Sequence, residues 1–301
     1  MRNGRGLPKV MLIISNPQRT KPQSSKYLSS FTIYLRSVRH MLVKSGYAPI
    51  HDLQLYYEIH GSGQPLVLLH GGLGGIGMFA DLLPALAEQY QVIGVELQGH
   101  ARTNDIPRPL SYAAMADDVA ALIQYLGFSQ VDVVGFSLGG GVALQTAIRH
   151  QQLVGKLIVI SATFRDTAWY PAVRAAIGQL DEVAAAAMVE SIPYKFYQEY
   201  APNPANWVQL VCKTGAMGKQ SFDWSSDVAK LQSPCLVVQG DADSIPLRHA
   251  IEFFELLGGP QSHDPEQRSQ SQLAILPNIN HFNIIDRIDL LMPVINQFLA
   301  S

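Results

Sequence analysis

Three side chains that can together activate a hydroxyl occur in one order along the chain: Ser137, then Asp241 or Asp243, then His281. A serine hydroxyl is a poor nucleophile unless a base takes its proton, and that base needs an acid to orient it. Ser137 lies in Gly135-Phe-Ser-Leu-Gly139, a G-x-S-x-G pattern in which the serine sits on a strained strand-to-helix turn with its hydroxyl exposed. Glycines flank it because a Cβ there would meet the neighbouring strand or helix. The helix start just beyond aims free N–H groups and the positive end of its dipole at the same point, where negative charge would develop. The expected chemistry is acyl transfer: His281 takes the Ser137 proton, the serine attacks a carbonyl, and backbone N–H groups hold the oxyanion. One donor is Leu138, the residue after the nucleophile. The other belongs to the loop after the Leu66–Leu69 run, at Gly72 or Leu73. Of the two acids, Asp243 stands further into its loop, where it can reach a histidine; Asp241, at the strand end, is better placed to brace the turn.

Such a constellation needs strands whose ends share one edge of a sheet. Leu53–Ile59 alternates like a strand; Leu66–Leu69, Gln91–Val95, Val131–Val134, Lys156–Ile160, Cys235–Gln239 and Leu273–Leu276 read as buried strands. Between several of them, apolar residues recur at helical spacing, as at Tyr112, Met115, Val119, Leu122, Ile123 and Leu126. Strands alternating with helices imply a mostly parallel sheet flanked by helices. The alternation stops near Ala162 and resumes near residue 229, and the stretch between, broken by Pro193, Pro202 and Pro204, reads as helical. The expected division is an N-terminal extension over 1–48, a core over 49–162 and 229–301, and a helical cap over 163–228. The extension contains basic, amphipathic Phe31–Arg39 and is expected to be poorly ordered, with Met41 as an alternative start.

The chain has 301 residues, 48% of them apolar, and a net charge of −2, which gives no basic surface for nucleic acid. No apolar run approaches the roughly 18 residues a membrane span needs. Cys212 and Cys235 make neither a metal spacing nor a disulfide framework, so a cytoplasmic setting is the default expectation. Asp117 and Asp118 are expected on the wet face of a helix, His70 and His100 as loop supports, and His249 and His263 without metal partners. One competing pattern, Gly72-Leu-Gly-Gly-Ile-Gly77 followed by Glu96, matches the dinucleotide-binding fingerprint of an NAD-dependent oxidoreductase, but it leaves Ser137, Asp243 and His281 without a role.

His70-Gly-Gly72, Gly99-His-Ala-Arg-Thr103, Gly135–Gly140, Gly240-Asp-Ala-Asp243 with Pro246, and Asn280-His281 together resemble the α/β-hydrolase superfamily over about Ile50–Ala300. The resemblance implies Ser137 as nucleophile, Asp243 as acid, His281 as base, Gly72 and Leu138 as oxyanion donors, no cofactor or metal, and a helical cap at 163–228. Serine at the nucleophile position disfavours haloalkane dehalogenases and epoxide hydrolases, which carry aspartate there. Ala101 departs from the commoner Gly-His-Gly. The expected function is a carboxylesterase acting on a small ester, with Leu73, Phe136, Trp169 and Phe196 as candidate substrate-lining residues. A lactonase, a C–C bond hydrolase and a perhydrolase would keep the same triad, and a slow or non-hydrolysing small-molecule sensor would keep the fold. Oligomeric state, monomer or homodimer, is left open.

Overall fold

A computed structural model describes residues 42–260 and 269–301. Eight strands form one sheet: β1 (Leu42–Ile50), β2 (Leu53–His60), β3 (Gln64–Leu69), β4 (Tyr90–Val95), β5 (Val131–Phe136), β6 (Val154–Ile160), β7 (Cys235–Gly240) and β8 (Gln272–Leu276). Their order is β1-β2-β4-β3-β5-β6-β7-β8. From β4 to β8 every neighbouring pair is parallel, while β1–β2 and β2–β4 are antiparallel. Successive strand residues feed opposite faces. Val67 and Leu69 join one apolar cluster, Leu66 and Leu68 the other. This is why the inner strands read as unbroken apolar runs rather than as alternation.

Helices α1 (Leu82–Ala87), α2 (Tyr112–Tyr125) and α3 (Leu138–Arg149) fall between the first six strands. Helix α4 (Pro171–Gly178), α5 (Glu182–Ala187), α6 (Ile192–Tyr200), α7 (Trp207–Gly218) and α8 (Ser225–Val228) lie between β6 and β7; α9 (Leu247–Leu256) and α10 (Ile288–Ala300) follow. The α4–α8 insertion is closed at its base. The Trp224 N–H donates to the Phe164 carbonyl (2.9 Å) and the Asp166 N–H to the Phe222 carbonyl (3.0 Å). No helix among the described residues is long and apolar enough to cross a membrane.

Two expectations need correction. The extension was expected to run to residue 48, yet Leu42–Ile50 is an edge strand paired with β2 from Leu42↔His60 to Ile50↔Leu53. Its outer part faces water and carries Lys44, Gly46 and Pro49, so no apolar alternation marks it; a tight turn at His51-Asp52, with φ of 46° and 68°, makes the hairpin. Residues 1–41 and His263 lie outside the described residues. Asp118 is not on a wet face: it is buried and accepts hydrogen bonds from Arg108 Nη1 (3.1 Å) and Nη2 (2.5 Å), with His51 Nδ1 at 3.0 Å. Asp117, one residue earlier, does stay partly exposed, paired with Arg149.

Candidate active site

Ser137 follows β5 directly, at φ 53° and ψ −115°. A non-glycine residue held there costs on the order of 1–3 kcal/mol and persists only because its surroundings fix it. They do so through two backbone bonds: the Ser137 N–H donates to the Ile160 carbonyl (2.9 Å), and the Gly141 N–H to the Ser137 carbonyl (3.1 Å). The turn is tight on both sides. A Cβ on Gly135 would sit 2.2 Å from the Gly139 carbonyl oxygen, and one on Gly139 would sit 2.3 Å from that of Leu69. Because backbone rather than a flexible side chain blocks the added methyl, Gly139→Ala is expected to destabilise the protein by about 3 kcal/mol or more. The urea midpoint measures this, and a midpoint unchanged from the parent would show that the elbow is looser than its contacts imply.

The Ser137 hydroxyl lies 2.9 Å from His281 Nε2, and His281 Nδ1 lies 2.9 Å from Asp243 Oδ1. An ionised carboxylate only accepts, so Nδ1 carries the imidazole proton and Nε2 is left to accept from the serine. Asp243 and His281 are both buried. The loops bearing them are tied together: the Ala242 N–H donates to the Ile279 carbonyl (2.9 Å), and the Ile279 N–H to Asp241 Oδ1 (3.2 Å). Asp241 thus braces the turn, and the backbone N–H groups of Asn278 and Ile279 hold its carboxyl below the usual carboxylate range. The Asn280 side chain accepts from the Phe282 and Asn283 N–H groups (2.9 and 3.1 Å), fixing the bend that presents His281.

Leu138 is the first residue of α3, so its N–H has no intrahelical acceptor. Gly72 lies beside it, the direction of a Gly72 Cβ ending 3.8 Å from Leu138 Cβ. His70 anchors that loop. Its Nε2 accepts from the Leu97 N–H (3.1 Å), so its protonated Nδ1 donates to the Gly71 carbonyl (2.8 Å). His100, with Nδ1 2.9 Å from the Gln98 carbonyl, packs 5.1 Å from His70 ring to ring. Next to it Ala101 has φ 44°, a conformation glycine adopts without strain.

The four candidate lining residues are placed unequally. The Trp169 ring stands 5.5 Å from the His281 ring, edge to face. Leu73, at φ 59°, is buried in the loop beside Gly72. Phe136 is buried 5.4 Å from the imidazole, with Gly71 against its edge, where it supports the histidine. Phe196 lies over Gly75 and Gly77: Cβ atoms there would come within 2.7 and 2.6 Å of its ring. Those contacts also dispose of the dinucleotide pattern. The glycines lead only into a 3₁₀ turn (Ile76–Phe79), with Gly77 beneath the Phe196 ring and Gly74 against Met78. Glu96 is fully buried, accepting from Arg102 Nη1 (2.6 Å), the Arg102 N–H (2.7 Å) and the Ile76 N–H (3.4 Å). A ribose has no access to it.

Several buried groups set the pH response of the fold. Burial pushes His70 down to about 3, helped by the His100 charge, His100 down to about 4 and His249 down to about 3. Glu96 moves oppositely, pushed up to about 7 by burial against the pull of Arg102. The unfolded chain binds protons to its histidines near pH 6.5, whereas the folded chain resists until far lower, so each histidine removes stability as pH falls below about 6.5. Glu96 gives stability below about 4.5 that is lost as pH rises through 7. Burial also pushes Asp286 up to about 6, so it too gives stability that is lost as pH rises through 6. With three lowered histidines against these two raised carboxylates, the urea midpoint is expected to fall between pH 7.5 and 5. His70→Gln should flatten that fall, and a midpoint that rises on acidification would contradict it.

Two groups of site residues escaped sequence reading. Ser161, at the end of β6, donates to Asp243 Oδ2 (2.5 Å); its position at a strand's C-terminal end was the available signal. Arg102 links Glu96 to the insertion, its guanidinium 4.7 Å from the Tyr56 ring and 4.3 Å from that of Tyr200. No sequence pattern announces that pairing.

Residues 64–192 match the alpha/beta hydrolase fold family. A hydrolase from Pseudomonas aeruginosa PA01 superposes on 86% of this chain and 99% of its own with a TM-score of 0.65, at 20% identity. The chain has the α/β-hydrolase fold. Among curated relatives, "Putative carbamate hydrolase RutD" of Rhizobium rhizogenes is 36% identical over 113 residues, 36% of this chain and 43% of that protein. The protein of the same name from Caulobacter vibrioides is 32% identical over 163 residues, 51% of this chain and 57% of its own. The chain thus spans about half the length of the curated relatives it matches. The family match ends at residue 192 and so does not cover Asp243 and His281, whose placement rests on their own sequence signals and on the geometry above.

Proposed function

We propose that this α/β hydrolase is a serine hydrolase that cleaves a small carboxylic ester through an acyl-enzyme. The observation that carries the reading is the unbroken hydrogen-bond line from the Ser137 hydroxyl through His281 to Asp243. His281 Nε2 takes the Ser137 proton as Oγ attacks the ester carbonyl. The oxyanion rests on the N–H groups of Gly72 and Leu138, donors fixed before the reaction begins. The imidazolium, its charge balanced by Asp243, gives the proton to the departing alkoxide. Water then attacks the acyl-enzyme with His281 again as base, releasing acid and free serine.

Residues 163–228 act as a cap that brings Trp169 to the imidazole. With the exposed Phe282 ring 5.6 Å away on the same histidine, the leaving group meets an aromatic surface. This supports an apolar alcohol portion. A second reading has one specific support, the relatives named as carbamate hydrolases: a carbamate presents the same carbonyl to the same serine and oxyanion donors. Initial rates on p-nitrophenyl acetate, p-nitrophenyl butyrate and a p-nitrophenyl carbamate test both. Ester turnover with the carbamate slow supports the first reading, carbamate turnover ahead of both esters the second, and no turnover of any of the three overturns both.

A further inference from the structure

The acid of the triad has two oxygens with different duties. Oδ1 faces the imidazole and also accepts from the Ile245 N–H at 3.3 Å. Among the described residues, Oδ2 has one protein donor, the buried hydroxyl of Ser161 at 2.5 Å. Ser161 has φ 50°, a backbone conformation in which glycine would be unstrained. If backbone shape were all that mattered, serine would be a poor choice. Local strain of this kind is retained where the surroundings or the chemistry require the side chain. Its place is fixed from both sides. The Ser161 N–H donates to the Val238 carbonyl of β7 (2.9 Å), and the preceding Ile160 carbonyl accepts the N–H of Ser137. The end of β6 therefore touches the nucleophile through its backbone and the acid through its side chain.

We infer that Ser161 is a positioning residue, holding the Asp243 carboxylate so that Oδ1 points at His281 Nδ1; this rests on the triad reading above. A carboxylate gripped at one oxygen only can swing about its Cβ–Cγ bond, whereas a donor on the other oxygen locks the plane. The hydroxyl touches no reacting atom and acts through Asp243.

A fluorophosphonate probe tests this without knowledge of the substrate, since its reaction with an activated serine forms a Ser137 Oγ–P bond and expels fluoride. The readouts are the limiting labelling rate and the half-saturating probe concentration, with the labelled residue identified by mass spectrometry. Ser161→Gly relaxes the backbone, Ser161→Ala does not, and both remove the hydroxyl. Each is expected to lower the limiting rate about tenfold while leaving half-saturation within about twofold. Ser161→Thr, which restores the hydroxyl, should recover most of the rate. If Ser161→Gly labels at the parental rate, the residue serves only the backbone and the inference falls, as it does if the loss appears in half-saturation rather than rate. If the parent is not labelled, or Ser137→Ala is labelled equally, the triad reading itself fails.

Discussion

Ser137→Ala is expected to lower kcat on a p-nitrophenyl ester by about 10⁴ or more while leaving the fold intact. On the proposed mechanism the oxygen removed forms the acyl bond, and no other hydroxyl stands within reach of His281 Nε2 in the described hydrogen-bond pattern. Alanine tolerates the elbow's positive φ no worse than serine does, and the backbone bonds from Ser137 N–H and to its carbonyl survive the change. The stability loss should thus stay near that of one hydrogen bond, about 1 kcal/mol. Residual turnover near parental levels, with an unchanged urea midpoint, would remove Ser137 from the chemistry.

Asp243→Asn comes next in size. The amide keeps the shape of the carboxylate but lets its NH₂ face His281, favouring the imidazole tautomer with the proton on Nε2. That tautomer cannot accept from Ser137, and an imidazolium formed during attack would lose its balancing charge. A fall in kcat of about 10³–10⁴ is expected, with KM little altered. Asp241→Asn is the matched control, two residues away in the same loop. Its remaining carbonyl oxygen can still accept the Ile279 N–H, so kcat should change less than about threefold. Equal losses in the two variants would move the acid's role from Asp243 to the shape of the loop as a whole.

Residues that announce themselves by local chemistry were readable from sequence. The G-x-S-x-G turn, a strand ending in Gly240-Asp-Ala-Asp243 and the Asn280-His281 bend all carry their signals within a few positions. The inner strands were equally legible, because strands covered on both faces must be apolar throughout. Strand β1 was not: half of it faces water, and its pairing with β2 supplies from outside what its own pattern lacks. Asp118 was misread for a related reason. Helical spacing gives a direction relative to the helix's own apolar stripe, but Arg108 and His51 approach from other segments and make burial of that carboxylate tolerable. Ser161 carried no mark beyond its place at the end of a strand, since its role exists only once two strands 75 or more residues apart in the chain lie side by side.

The ring of Phe196, seated on Gly75 and Gly77, bears on anyone wishing to broaden what the protein accepts. Trimming that phenylalanine looks like an easy way to make room for bulkier molecules. The same side chain is the bearing on which the glycine strip rests, a few residues downstream of the Gly72 amide. Enlarging the chamber there would slacken the very strip that must keep still, so variants selected for size should trade away turnover unless the hollow is refilled from another side.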